Sequence, residues 1–389
     1  MLSRALDNVR VLDLSRILAG PWCTQNLADL GADVIKIERP GQGDDTRKWG
    51  PPYLRSADGS DAMAAYFTCC NRNKRSVCLD FSSQPDRKLL LDLVRSSDVL
   101  VENYKTGTLK RYGFDYDSLK AIRPDLIYLS ITGYGQNGPK ASQPGYDYIF
   151  QGIGGLMGYT GRADGEAGAG PLRAGIPVVD ISTGMYATSA VLAALLQRAR
   201  TGKGAYLDIA LLDVAVAINA NQGANYLVSG KNPERSGNAH PNLAPYEVFK
   251  ARDGYFILAI GNDGQFLKLC ELCGHPELAA DPRFSTNSAR IGNLPALRGI
   301  LGDLIALHDR SHWTSSLEAA GIAWGPVNTL DEVFNDEQVR HRGMLRHAPH
   351  PRFGEIPSVR NPMLTGEDTA PMRPPPLMGE HTQEVLDSL

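Results

Sequence analysis

The chain has 389 residues, 42% of them hydrophobic and 21% charged, the ordinary range for a globular protein of about two to three domains at ~150 residues each. Forty Lys and Arg against 43 Asp and Glu leave a formal charge of -3, so nothing calls for a nucleic-acid or membrane partner, and small molecules are the expected ligands. The N-terminal stretch, broken by Arg4, Asp7 and Arg10, lacks a signal-peptide core; no apolar run approaches the ~18 residues of a membrane span, and six cysteines in so long a chain suggest free thiols in the cytoplasm.

Val9 to Leu14 reads as a buried strand, Pro21 to Leu30 as a helix with Pro at its first position and Gly31 after its end, and Val34 to Glu38 as a second strand. Strand and helix then alternate: Ser76 to Asp80, Pro85 to Ser97, Val99 to Glu102, a helical pair through Ile122, and Leu126 to Thr132. This alternation predicts an α/β fold with a doubly wound, largely parallel sheet, whose ligand site lies beyond the carboxyl ends of the strands.

Gly133 to Gly138 satisfies G-x-G-x-x-G, but Pro139 and Ser-Gln-Pro-Gly follow instead of a helix, so the segment reads as a turn. The chain has no G-x-S-x-G, Walker loop or H-E-x-x-H. Ile176 to Val179 runs into Asp180, and an apolar helical pattern continues through Arg198. Asp180 at a helix start has two readings: an N-cap, or a poorly hydrated nucleophile kept ionised by the helix dipole and the first free N–H groups.

Gly202-Lys203-Gly204 breaks the pattern, and Leu211 to Val228 reads as one long helix leaving the first domain. Ser229 to Asn242 is a long loop rich in Gly, Pro, Asn and Ser. A second unit follows, with strands near Tyr246 to Lys250 and Tyr255 to Ile260 and helices over Gln265 to Leu272, Leu294 to Leu307 and Trp313 to Ala320. Cys270 and Cys273 form a C-x-x-C inside a helical pattern with no second pair, so no metal is expected. From about Val327 the pattern changes, ending in the Pro-rich Pro371 to Pro376 and a short helix.

Polar and basic residues recur around the predicted strands: Arg16 after the first; Arg39, Arg47 and Lys48 after the second; Asn71 to Arg75, with Lys74, before the third; Asn103, Tyr104, Lys110 and Arg111 after the fourth. Four clusters at one edge suggest a pocket for a polyanion, to which the helix beginning at Pro21 adds free N–H groups. An extended phosphorylated cofactor suits that distribution.

The blocks LDLSRILAGPW, VIKIERPGQGDDTRKWGPP, NRNKRS, VENY, ITGYGQNGP, PGYDYIFQ, GIPVVDISTG and PPPLMGEHT resemble, in order and over nearly the whole chain, the class III CoA-transferases, the family of formyl-CoA:oxalate and carnitine CoA-transferases. The resemblance implies a homodimer of two interlocked, ring-like subunits. In each, a large domain would be built from residues 1–200 and 326–389, followed after a linker helix at 201–228 by a small domain at 229–325. It makes Asp180 the covalent nucleophile, passing the acyl group through aspartyl anhydride and aspartyl-CoA thioester intermediates with no metal or redox cofactor. Coenzyme A would be gripped by Arg39, Lys74, Asn103, Tyr104 and Arg111, with Ile17 and Ala19 lining the channel and Arg16, Arg47, Asn71 and Arg75 in the flanking clusters. Tyr146 and Asp147 match active-site positions, and Gly237, Asn238 and His240 occupy the place of the family's glycine loop.

Two departures narrow the expectation. Leu18 stands where the formyl-CoA enzyme has glutamine, which disfavours oxalate as acceptor, and Tyr146 stands where the racemases of this fold have a histidine, which disfavours racemisation because a phenol is a weak base near neutral pH. The blocks GDDTRKWGPP, PLRAGIPVVD and GNAHPNLAPYEVFKARDGY look most like the branch that moves CoA from succinyl-CoA to dicarboxylates such as glutarate, and Arg173 is the candidate for the second carboxylate.

Overall fold

The structure is a computed structural model, and it describes residues 1–365 and 370–389. The chain divides into two compact units: residues 1–155, 174–219 and 334–389 form the first, and residues 156–173 and 220–333 the second.

The first unit is organised on six strands: β1 (Arg10–Asp13), β2 (Asp33–Glu38), β3 (Lys74–Cys78), β4 (Val99–Glu102), β5 (Ile127–Thr132) and β6 (Ala205–Ala210). All pairs are parallel and the order is β3-β2-β1-β4-β5-β6, so the winding reverses between β1 and β4. The central strands are continuous apolar runs because helices cover both faces. On one face α1 (Ala19–Asp29) and the long helix spanning residues 178–201 bury Cys23, Leu27, Ala187 and Val191 against Val11, Val99 and Ile127. On the other face α2 (Gln84–Arg95) and α3 (Tyr116–Ile122) bury Leu90, Leu93, Val94 and Leu119 against Leu12, Ile35 and Leu100.

Two further helices, α4 (Asp147–Ile153) and α6 (Leu211–Ala217), flank that long helix, α5 (Val178–Thr201), in the sequence of this unit. Helix α5 crosses α1 closely. A Cβ on Gly184 of α5 would meet the Ala19 carbonyl oxygen at 2.8 Å and Trp22 Cβ at 2.9 Å, so only glycine admits this approach. Contrary to the expectation of no spanning-length segment, α5 is long and apolar enough, by length and composition alone, to cross a bilayer. Here Val179, Thr183, Gly184, Ala187, Thr188, Val191 and Ala194 are buried in the first unit.

The second unit has helix α7 (Ala220–Ser229) and an antiparallel sheet of β7 (Tyr246–Ala251), β8 (Gly254–Ala259) and β9 (Ala323–Pro326). Helices α8 (Asp263–Leu272), α9 (Leu294–Ile305) and α10 (Arg310–Ala319) pack on it through Phe266, Leu269, Leu297, Leu301, Trp313 and Leu317. Cys270 and Cys273 lie at the end of α8 as free thiols, and no metal-holding cluster exists among the described residues.

The C-terminal part returns to the first unit, with a hairpin of β10 (Leu345–His350) and β11 (Gly354–Val359) and helix α11 (Thr382–Asp387). Helix α11 docks on edge strand β3, where the His381 N–H donates to the Ser76 carbonyl at 2.9 Å and the Cys78 N–H to the Thr382 hydroxyl at 3.0 Å.

Three expectations need correction. Residues 201–228 are not a linker helix: Ala205–Ala210 is the sixth strand of the sheet, and the helical pattern beyond it breaks between α6 and α7, with Ala220 at φ 44°. Residues 156–173 belong to the second unit, not to the first. Residues 326–333 also stay with the second unit, and the return to the first begins at Phe334.

Candidate active site

The reversal point between β1 and β4 builds the site. The segment after β1 carries Arg16 and Ile17, and the segment after β4 carries Asn103 and Tyr104. The Asn103 side chain clasps the Arg16 backbone from both sides: its Oδ1 accepts the Arg16 N–H at 2.8 Å and its Nδ2 donates to the Arg16 carbonyl at 2.7 Å. The Arg16 guanidinium lies over the Tyr104 ring at 5.5 Å and pairs with Asp45 at 2.8 Å. Ile17 is held at φ 71°, an uncommon conformation for a β-branched residue, with its N–H directed at the Asp44 carboxylate at 3.3 Å.

Two cavities meet at this clasp, both bordered by Arg16 and Tyr104. One, of about 450 Å³, is lined by Arg39 and Lys48 together with the aromatic rings of Phe81, Tyr112 and Trp49. The other, of about 230 Å³, is lined by Ile17, Ala19, Asn103, Tyr146 and Asp180. An aromatic chamber, whose walls set Arg16, Lys36, Arg39 and Lys48 beside Glu38, Asp44, Asp45 and Asp80, thus adjoins a smaller one with a carboxylate on its wall.

Asp180 is the third residue of α5, not its N-cap; that position is Pro177, and no side chain of the cap residue closes the helix. The first free N–H groups are taken by another carboxylate. Asp147 Oδ1 accepts from Val179 N at 2.7 Å and from Asp180 N at 3.1 Å, and its Oδ2 accepts from Gln151 Nε2 at 2.5 Å. The expectation that these N–H groups hold Asp180 ionised is therefore corrected: burial, reinforced by the neighbouring Asp147, pushes the Asp180 carboxyl up to about 7. It ionises near neutrality, with little to stabilise the anion.

The basic cluster at 71–75 does not reach these cavities. In a parallel sheet the residues before a strand lie at the edge opposite the residues after its neighbours, and Arg72 and Arg75 bond accordingly, whereas Lys74 reaches back under the sheet end to Asp13 and is spent there. Arg72 pairs with Asp29 through a 2.9 Å Nε contact, and Arg75 bridges Asp33 at 2.6 Å and Glu384 at 3.0 Å. Asn71 donates to the Phe67 carbonyl at 2.9 Å. Lys74 is fully buried, with its ammonium on Asp13 at 3.1 Å, the Pro21 carbonyl at 3.0 Å and Asn71 Oδ1 at 3.0 Å. Arg47 is also engaged, pairing with Glu38 at 2.6 Å and lying 3.7 Å over the Phe67 ring. Asn71, Lys74, Arg75 and Arg47 are thus supports, while Arg16 and Arg39 border the cavities; Arg111 is exposed on the turn Leu109–Tyr112, outside their linings.

The whole chain matches known proteins. Residues 6–382 match the model for CoA-transferase family III. The chain belongs to that family. It is 46% identical to a succinate–glutarate CoA-transferase of Agrobacterium fabrum, over 99% of this chain and 95% of that protein. It is 42% identical to a succinyl-CoA:glutarate CoA-transferase of Mus musculus, over 98% of this chain and 86% of that one. The crystal structure of a CAIB/BAIF family protein from Brucella suis superposes with a TM-score of 0.86 at 46% identity, covering 98% of each chain. This protein is accordingly a CoA-transferase, and CoA thioesters are its substrates.

In this family III CoA-transferase, the segment carrying Gly237, Asn238 and His240 lies in the second unit. Gly237 sits at φ 67° with its N–H on the Gly161 carbonyl at 3.0 Å. His240 stacks on Tyr246 at 5.1 Å, and its Nδ1 accepts the Asn242 N–H at 3.1 Å, so the ring is oriented by its own loop. Arg173 is an exposed residue of the same unit. Tyr146 is 62% exposed, so it is not a core residue.

Sequence reasoning missed Tyr66, Glu102 and Gln151. Burial pushes the Tyr66 phenol up, and the charges of Asp180 and Asp147 add to it, which brings Tyr66 into the field of the site. Its signal was an aromatic pair, Tyr66-Phe67, three residues short of the block that begins at Asn71. Buried Glu102 ends β4, accepts the Tyr104 N–H at 2.8 Å, and is raised to about 7 by burial. Nothing local in VENY distinguishes that glutamate from a solvated one.

Proposed function

We propose that this CoA-transferase moves CoA from succinyl-CoA to glutarate or a related dicarboxylate, with Asp180 as the covalent nucleophile. The observation that carries the reading is Asp180 on the wall of the narrow cavity, a buried carboxylate raised by burial and by Asp147 and held in no ion pair among the described residues. In the larger chamber Arg16 and Lys36 are already paired with Asp45 and Asp44, which leaves Arg39, Lys48 and the aromatic rings of Phe81, Tyr112 and Trp49 to receive the nucleotide end of an acyl-CoA, and the narrow chamber suits its pantetheine arm and thioester.

The Asp180 carboxylate attacks the thioester carbonyl; the C–S bond breaks, giving a mixed anhydride and CoA thiolate. The thiolate then attacks the aspartyl carbonyl, the anhydride C–O bond breaks, and the donor acid leaves as its carboxylate. The acceptor carboxylate attacks the resulting aspartyl-CoA thioester, and returning thiolate opens the second anhydride on the acceptor side, restoring Asp180. Every step exchanges one activated acyl bond for another, so the chemistry depends on retaining the thiolate and excluding water. A carboxylate raised to about 7 is poorly solvated, and that favours its attack.

The relatives named for succinate and glutarate support a dicarboxylate pair, and Arg173 is the residue proposed to receive the distal carboxylate. The glycine loop at Gly237–His240 is proposed to cover the reacting carboxylate. A homodimer is proposed as well, interlocked as in the family resemblance. It is supported by exposed apolar side chains on α4 and α5, among them Tyr148, Ile149, Ile153, Met185 and Tyr186, each about half exposed or more in the single chain. Six free thiols are in keeping with a cytoplasmic location.

The test is mass spectrometry after incubation with succinyl-CoA and hydroxylamine. A hydroxamate on the peptide containing Asp180 is expected, and a protein that turns over without one refutes the covalent step. Native mass spectrometry reads the dimer. Arg173→Ala is expected to raise KM about tenfold for glutarate and not for a monocarboxylate acceptor; equal changes for both acceptors rule out the assignment.

A further inference from the structure

Helix α4 carries a second buried polar side chain four residues after Asp147. Gln151 is fully buried, and its amide is used at both ends: Oε1 accepts the Ala174 N–H at 2.8 Å, while Nε2 donates to Asp147 Oδ2 at 2.5 Å. Asp147 Oδ1 in turn accepts the N–H groups of Val179 and Asp180. The contacts form one directed chain, from the backbone entering α5, through Gln151 and Asp147, to the backbone of the nucleophile itself. All of its members lie in the first unit.

We propose that Gln151 and Asp147 are positioning residues for Asp180, forming a clamp that fixes the first turn of α5 and keeps its free N–H groups from solvating the Asp180 carboxylate. The inference rests on Asp180 being the nucleophile. The physical reason is direct: an unsealed helix N-terminus offers donors and a positive dipole end to any nearby carboxylate, and a carboxylate that accepts them is a weaker nucleophile. Asp147 takes those donors itself and places a negative charge beside Asp180. Gln151 gives Asp147 a single orientation, because its own Oε1 is committed to Ala174.

The polarity of the chain makes the clamp testable. Asp147 must accept on both oxygens. Asp147→Asn therefore turns a donor toward the Gln151 donor, or toward the helix N–H groups, and one contact is lost in either rotamer. Gln151→Glu sets two carboxylates face to face. Combining the two substitutions restores complementarity: the new side-chain amide at 147 donates to the new carboxylate at 151, which still accepts from Ala174, while the remaining oxygen at 147 still receives the N–H groups of Val179 and Asp180. The charge has then moved one side chain further from Asp180.

Each single variant is expected to lower kcat about 100-fold with KM for the acyl-CoA within about twofold, as for a misplaced reacting group. The paired variant is expected to recover to within about tenfold of wild type, and the acidic limb of its kcat profile moves below 7, since Asp147 is the charge that raises Asp180, while Tyr66, and Arg16, Tyr104, Lys105 and Tyr146 in the cavity lining, are unchanged by the exchange. Single variants with wild-type kcat, or a paired variant no better than the worse single one, overturn the clamp. If a single variant does not fold, amide exchange in the wild-type protein decides. Protected Val179 and Asp180 N–H groups support the clamp, and exchange at the rate of an open helix end refutes it. The hydroxamate experiment on wild type stands apart: if it fails, the nucleophile reading falls, while the exchange and rescue results still report on the clamp.

Discussion

Two carboxylates in this protein are placed within the same unit and meet opposite fates. Asp13, at the end of β1, is fully buried, and burial works against its charge. Lys74 and Lys36 outweigh that cost, with hydrogen bonds from Ser15 and Thr24, and hold its carboxyl down to about 2. Lys36 also pairs with buried Asp44 at 2.9 Å, so the cluster is closed upon itself. Asp180 has burial and a neighbouring anion, with no compensating ion pair among the described residues, and stands near 7. A carboxylate whose charge is fully matched holds structure; one whose charge is left unmatched, at the end of a cavity, is available for chemistry.

The largest expected effect separates the two directly. Asp180→Asn is expected to cut turnover at least ~10,000-fold without loss of fold. Because the folded pKa lies above the unfolded value, the stability tied to the Asp180 proton is fully present below about pH 4 and is lost as pH rises through about 7. The variant should therefore match wild type in thermal midpoint near pH 4 and exceed it at pH 8. Equal midpoints at both values would place Asp180 in ordinary solvation and dissolve the contrast.

Lys74→Met tests the other member. It leaves Asp13 buried with a weaker match and is expected to cost about 3–5 kcal/mol in denaturant unfolding. A change confined to KM, with stability intact, would return Lys74 to substrate binding.

Arg39→Ala is expected to raise KM for acyl-CoA about tenfold at low salt, with kcat little changed, in steady-state kinetics. The smallest effect is expected from Glu102→Gln. Glu102 is also raised to about 7 but is bonded to the Tyr104 backbone and to Ser130, so the variant should gain stability at pH 8 while the acidic limb of kcat/KM stays where Asp180 sets it. A limb that moves with Glu102 would give the pH dependence to the wrong carboxylate.

Much of this was legible from residues alone. Continuous apolar strands bounded by loop signals gave the parallel sheet and pointed to the carboxyl ends of β1 and β4, where Arg16 and Tyr104 do border the cavities. Arg72 and Arg75 lie at the opposite edge from the cavities because proximity in sequence to a strand says nothing about which end it serves until the direction of that strand is considered. Strand β6 was hidden because an edge strand with alternate exposure, AYLDIA, lacks a buried run. The cap of α5 comes from Asp147, 33 residues before Asp180, and no local pattern encodes such a contact. The closed pairing of Lys74 with Asp13 is invisible for the same reason.

Gly184, where α5 touches α1, bears on how this enzyme can be redesigned. The helix that presents Asp180 and the helix whose first residue, Ala19, lines the same cavity are joined at a point that admits no side chain. A library that varies Gly184 would shift both walls of that cavity together, so most of its members should lose activity whichever acid is offered. Searches for new acceptors are better spent elsewhere in the chain, leaving this helix crossing as a fixed datum.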